Sequence, residues 1–169
     1  MRLATIKLHG AEVAGIVMPK GIYPIEALND NKGAAWKTDM MALIQAQEIP
    51  ALTAWYNKGG REELESMPGL VPAEEVVYAP LYRNPRRIFG IGLNYVDHAG
   101  DIGSAAPTGF PGSFFKMADT LIGPGDEIKT PALKEAQKTT AEAELGIIMG
   151  KDCRDTVSYT HLRAHETLM

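Results

Sequence analysis

The chain of 169 residues has little of several features that mark specialised proteins. Its single cysteine excludes an internal disulfide, so the fold holds without covalent cross-links, as suits a reducing compartment such as the cytoplasm. No apolar run approaches the roughly 18 residues of a membrane span. The net charge of -4 gives no electrostatic footprint for nucleic acid or for an anionic membrane surface. We therefore expect a cytoplasmic protein whose partners include neither nucleic acid nor a membrane.

The residues that are present predict an ordinary globular protein, with 45% hydrophobic and 22% charged residues. Apolar and polar residues alternate over residues 2–8 and again over 12–18, with His9 and Gly10 between them, which predicts a β-hairpin. Asp39 is placed to cap a helix that begins at the next residue. Pro50 is expected to break or kink that helix.

A change of character near Asn84 and Pro85 predicts a domain boundary. Before it, residues 71–80 are apolar and rich in β-branched side chains. After it come short strands, over 88–92 and 113–116, and a Gly-Pro-Gly-Asp turn at 123–126. This pattern predicts an α+β, mainly β fold whose loops can hold a site.

Four short motifs of the second half occur in a defined order. They are RIFGIGLNYVDHA at 87–99, FFK at 114–116, LIGPGDEI at 121–128 and EAELGIIMGK at 142–151. Together they resemble the catalytic domain of the fumarylacetoacetate hydrolase family. Agreement of four motifs in one order is much more specific than any single motif.

The resemblance implies three parts of the chain. Residues 1–83 resemble the small β-rich domain that precedes the catalytic domain, and residues 84–155 correspond to part of that catalytic domain, a wrapped β-sheet. Residues 156–169 have no counterpart in the family and resemble translated adapter sequence, so we expect this tail to be foreign. Family members are usually homodimers, and the resemblance implies the same here.

Glu142 and Glu144 are the predicted metal ligands. On an extended strand, alternate side chains share a face about 7 Å apart, and two carboxylates placed so repel each other unless a cation binds them. The resemblance implies Mg²⁺, or Mn²⁺ or Ca²⁺, with a third ligand from a downstream Asp that no segment of the chain matches. The alternative is that residues 134–145, rich in helix formers, place both glutamates as solvated residues near a helix end.

His98 is the predicted base, because imidazole can accept a proton from water near neutral pH when a carboxylate orients it. Asp101 follows one helical turn later, where the family usually has the longer Glu, and Asp97 is a weaker alternative partner. A histidine in a loop is also commonly a surface or capping residue.

Lys116 resembles the family's lysine near the substrate carboxylate, and an ordinary exposed strand lysine is the alternative. The glycines at 90 and 92 also suggest a dinucleotide-binding loop. The third glycine and the following helix pattern of that motif are missing.

The function that the resemblance implies is hydrolysis of a carbon–carbon bond in a 1,3-dicarbonyl or acylpyruvate-type oxo-acid. The metal would chelate substrate oxygens and stabilise the enolate, and His98, aided by Asp101, would activate water. An isomerase, hydratase or decarboxylase of related oxo-acids would share this chemistry. The alternative from a different class is an inactive fragment or binding module, which is expected if the metal shell is incomplete.

Overall fold

The computed structural model describes residues 1–132, 134, 139 and 141–150. In this part of the chain the strands are β1 (Leu3–Leu8), β2 (Ala11–Met18), β3 (Gly21–Pro24), β4 (Val71–Pro72), β5 (Ile88–Gly92) and β6 (Gly112–Lys116). The helices are α1 (Ile25–Lys32), α2 (Met40–Gln45), α3 (Ile49–Trp55), α4 (Arg61–Ser66) and α5 (Val96–Asp101). The predicted α+β class is confirmed. No helix of the described residues is long and apolar enough to cross a membrane.

The chain forms two compact units. One comprises Met1–Tyr82 and the described residues between Ile122 and Gly150, and the other is Arg83–Leu121. The predicted domain bounds of 1–83, 84–155 and 156–169 stay a prediction. The predicted tail at 156–169 lies outside the described residues.

The predicted N-terminal hairpin is confirmed. β1 and β2 pair antiparallel from Leu3 with Ile16 to Leu8 with Ala11, which leaves a two-residue loop. In that loop His9 has φ 49° and Gly10 has φ 80°. Tight hairpin loops with two positive φ values match the right-handed twist of the strands they join.

The first sheet has the strand order β1-β2-β3-β4 and is antiparallel throughout. Its alternating side chains supply two hydrophobic clusters. Ile6, Val13 and Ile22 form the smaller cluster, with Val71 and Val76 packed against it. The larger cluster joins strand residues to the helices and contains Leu3, Ala14, Ile16, Met18, Tyr23, Ile25, Leu28, Met40, Leu43, Leu52 and Leu64.

Local chemistry sets the ends of the central helices. Asp39 Oδ1 accepts a hydrogen bond of 2.8 Å from the Ala42 amide, which confirms the predicted N-cap of α2. Pro50 lies in the first turn of α3, where its missing N–H leaves no helical bond unmade. The predicted break is therefore confirmed as a separation into two helices.

Residues 77–81 cover the outer edge of β1. The Lys7 amide donates to the Val77 carbonyl at 2.7 Å, and the Ala79 amide donates to the Thr5 carbonyl at 3.0 Å. The Thr5 hydroxyl donates to the Leu81 carbonyl at 2.6 Å. Of the segment 71–80, Val71–Pro72 forms a strand, Ala73–Glu75 forms a single helical turn, and the residues from Val77 on pair with this edge.

Stability is expected to depend on the larger cluster. Leu52→Ala removes a fully buried side chain and should lower the free energy of unfolding by about 2–5 kcal/mol. Leu145→Ala is the matched control, because Leu145 is 67% exposed. Urea denaturation measures both variants. Equal losses would show that Leu52 does not contribute more than a surface leucine.

Candidate functional site

The β5–β6 hairpin forms the frame of the unit Arg83–Leu121. The strands pair antiparallel, with Ile88 opposite Lys116 and Gly90 opposite Phe114. The predicted strands at 88–92 and 113–116 are thereby confirmed. The dinucleotide-binding alternative is wrong, because β5 pairs antiparallel with β6 and is followed by a helix of six residues.

His98 and Asp101 both lie in α5. Leu93, directly after β5, has φ 58° and turns the chain toward this helix. Residues three apart are neighbours on a helix surface, so α5 places the imidazole and the carboxylate on adjoining positions. His98 is half-buried and Asp101 is exposed, while Ala99 between them is fully buried. This arrangement is compatible with the predicted roles.

Lys116 ends β6 and is exposed. Its Nζ lies 5.8 Å from the centroid of the Phe114 ring, within the range of a cation–π contact. The sequence motif contained Phe114 but gave no role to it. The sequence alone held no signal for such a role, because the pairing of Phe114 with Gly90 depends on the register of β5 and β6.

The predicted strand around Glu142 and Glu144 is wrong for the residues described. Residues 141–149 have neither strand nor helix. The helix-end alternative stays a prediction, because most of residues 133–140 lie outside the described residues. A strand requires a hydrogen-bonded neighbour, and none of the described strands pairs with this segment. Both glutamates are exposed. Because they are not in a regular strand, their side chains need not point to the same face.

The predicted site residues are divided between the two units. His98, Asp101 and Lys116 lie in Arg83–Leu121, and Glu142 and Glu144 belong to the other unit. Only the relation of His98 to Asp101, within one helix, is fixed by local structure. The assignment of each residue to the site therefore stays a prediction.

The chemistry of the donor groups fits a hard divalent cation. Carboxylate oxygens are the ligands that Mg²⁺ prefers, and one or two carboxylates with water and substrate commonly complete its shell. Glu142 and Glu144 supply two such groups with access to solvent. Among the described residues no group of three or more His, Cys, Asp or Glu side chains is placed to hold a metal ion.

The predicted Gly-Pro-Gly-Asp turn is confirmed as a closed turn. The Gly123 amide donates to Asp126 Oδ2 at 2.8 Å, and the Asp126 amide donates to the Gly123 carbonyl at 3.1 Å. A Cβ on Gly123 would lie 2.9 Å from the carbonyl carbon of Ala79, so glycine is required for this close approach. Lys7 Nζ lies 3.7 Å from Asp126 Oδ1.

Comparison with known proteins identifies the second half of the chain. Residues 87–166 match the family model "Fumarylacetoacetate (FAA) hydrolase C-terminal". This range contains the hairpin, α5 and both predicted metal ligands, and it reaches into the predicted tail. The matched segment is thus of a hydrolase-type domain class. Over residues 87–166 the chain is therefore similar to the fumarylacetoacetate hydrolase family.

Relatives from Burkholderia cenocepacia and Burkholderia multivorans carry provisional names as hydrolases. Each is 42% identical to the chain over 69 residues, which is 41% of this chain and 23% of the relative. The matched stretch thus spans about a quarter of the length of these relatives. This sequence identity supports the similarity to the family. The activity of the whole protein is a proposal.

The turn at Gly123 should depend on the side-chain oxygen of Asp126. Asp126→Ala removes the acceptor for the Gly123 amide, so we expect hydrogen exchange of that amide to rise by about fivefold, equivalent to about 1 kcal/mol. Asp126→Asn keeps an acceptor oxygen and removes the charge beside Lys7, and its exchange should stay near wild type. Exchange measured by NMR separates the two. If the Gly123 amide exchanges faster than in wild type by the same factor in both variants, the charge of Asp126, and not its hydrogen bond to that amide, protects the turn.

Proposed function

We propose that these residues belong to a divalent-metal-dependent hydrolase that cleaves a carbon–carbon bond in acylpyruvate-type or other 1,3-dicarbonyl oxo-acids. The observation that carries the proposal is the family match over 87–166, which contains all five predicted site residues. The hydrolase names of the relatives support the reaction class. A cytoplasmic homodimer is the setting that the resemblance and the single cysteine favour.

The roles of the chain's own residues follow from their chemistry. His98 accepts a proton from water as the water oxygen attacks the carbonyl carbon of the substrate. The adjacent carbon–carbon bond breaks, its electron pair leaves as an enolate, and protonation of that enolate completes the two acid products. Asp101, one turn along α5, orients or stabilises the imidazolium. Lys116 binds the substrate carboxylate.

Glu142 and Glu144 are the residues that would hold the metal. Bound Mg²⁺ or Mn²⁺ would polarise substrate oxygens and offset the negative charge that develops during cleavage. The two glutamates lie two residues apart, and both are exposed, so water and substrate can complete the shell.

Metal binding is tested by replacing both glutamates. Glu142→Gln with Glu144→Gln keeps the side-chain volume, removes two charges and should weaken Mg²⁺ or Mn²⁺ binding by about tenfold or more. The matched control is Glu74→Gln with Glu75→Gln, a pair of exposed glutamates in the single turn at Ala73–Glu75. Isothermal titration measures each affinity. An unchanged affinity in the first variant would exclude these residues as ligands.

The reaction is tested with acetylpyruvate and a full-length enzyme that contains these residues. Turnover should require metal and stop with EDTA, and His98→Gln should lower kcat by about 10²- to 10⁴-fold. His9→Gln, in the exposed turn of the first hairpin, is the control and should retain activity. Product analysis distinguishes acetate plus pyruvate from an isomerised or decarboxylated product. Turnover that persists in EDTA would contradict the proposal.

A further inference from the structure

The two faces of the β5–β6 hairpin carry different aromatic residues. Neighbouring residues of a strand point to opposite faces, and residues directly opposite each other share a face. Phe114 and Lys116 therefore share one face with Gly90, while Phe115 shares the other with Phe89. The rings of Phe89 and Phe115 meet edge to face, with centroids 5.5 Å apart.

The ring of Phe114 occupies the space above Gly90. A Cβ built on Gly90 would lie 2.5 Å from Cζ of Phe114, and one on Gly92 would lie 3.7 Å from its Cε1. Any side chain at Gly90 would displace the ring, whereas Gly92 has ordinary contact distance. Glycine within a strand commonly marks such a close approach. The absence of a side chain at Gly90 thus leaves the space that the Phe114 ring occupies.

The Lys116 ammonium lies on the same face as this ring. Its Nζ is 5.8 Å from the ring centroid, and a cation over an aromatic face is attracted by the quadrupole of the ring. A lysine side chain is otherwise free to sample many rotamers, which costs entropy when a ligand fixes it. A contact that limits this freedom before binding lowers that cost.

We propose that Phe114, seated on Gly90, is a positioning residue that holds the Lys116 ammonium for the carboxylate of the substrate. The proposal deepens the function given above, because it rests on Lys116 as the carboxylate-binding residue. It adds two residues, Phe114 and Gly90, that act through Lys116 and need not touch the substrate. It also gives Gly90 a role other than binding a nucleotide.

The position of the ammonium is tested by NMR of the chain with labelled lysine, the Lys116 signal being assigned with Lys116→Arg. The Lys116 Hε protons should show a ring-current shift that Phe114→Leu abolishes and Phe114→Tyr retains. Gly90→Ala should also reduce the shift, because the added methyl group displaces the ring. Phe115→Leu is the matched control, since it removes the neighbouring ring on the opposite face. An unchanged Lys116 signal in Phe114→Leu, or the same loss in Phe115→Leu, overturns the proposal.

The role in carboxylate binding is tested by titrating pyruvate into the same labelled chain. Phe114→Leu should raise the Kd read from the Lys116 signal by about two- to fivefold, the range of an exposed cation–π contact, and Phe114→Tyr should restore it. If pyruvate leaves the wild-type Lys116 signal unmoved, Lys116 is not the carboxylate site, and both the positioning role and that part of the proposed function fail. If pyruvate binds with equal Kd in Phe114→Leu, only the positioning role is overturned.

Discussion

The outer edge of β1 is the constraint on which the arrangement of the first unit depends. An edge strand presents unpaired amide and carbonyl groups that need a partner. Residues 77–81 supply it through hydrogen bonds with Thr5 and Lys7. The Gly-Pro-Gly-Asp turn then packs on this segment at Ala79, and Asp126 approaches Lys7. A family motif from the second half of the sequence is thus built onto the first sheet, with glycine at the point of closest contact.

The two units differ in how much apolar surface they bury. In Met1–Tyr82 both faces of the sheet carry buried clusters. In Arg83–Leu121 Ala99 is the buried hydrophobic residue, while Phe89, Ile91 and Phe115 are at least half exposed. An isolated two-stranded hairpin is marginally stable in water, and exposed apolar side chains add little to it. Among the described residues, hydrophobic stabilisation therefore resides mainly in the first unit.

Local signals predicted the elements that local chemistry determines. The N-terminal hairpin followed from strict alternation and a turn with Gly10, and the start of α2 followed from the Asp39 cap. α1 was not predicted, because it begins after Pro24 without a side-chain cap. Within it, Asn31 donates to the Tyr23 hydroxyl and to the Pro68 carbonyl, 37 residues away in sequence. Such a tertiary network leaves no periodic trace in the sequence.

The candidate site shows the same division between local and distant causes. α5 brings His98 and Asp101 to adjoining positions because helical spacing alone suffices. A strand at Glu142 and Glu144 requires a neighbour to pair with, which alternation of polar and apolar residues cannot supply, and the described strands provide none. The turn at Leu93 was equally hidden, since a leucine with positive φ is held by its surroundings and not by its own preference. The structural role of the glycines at 90 and 92 could not be predicted, because it depends on the register of β6, which places the Phe114 ring over Gly90. Sequence patterns can therefore predict candidate site residues. The faces on which β5 and β6 place their side chains depend on strand pairing, which only the three-dimensional structure reveals.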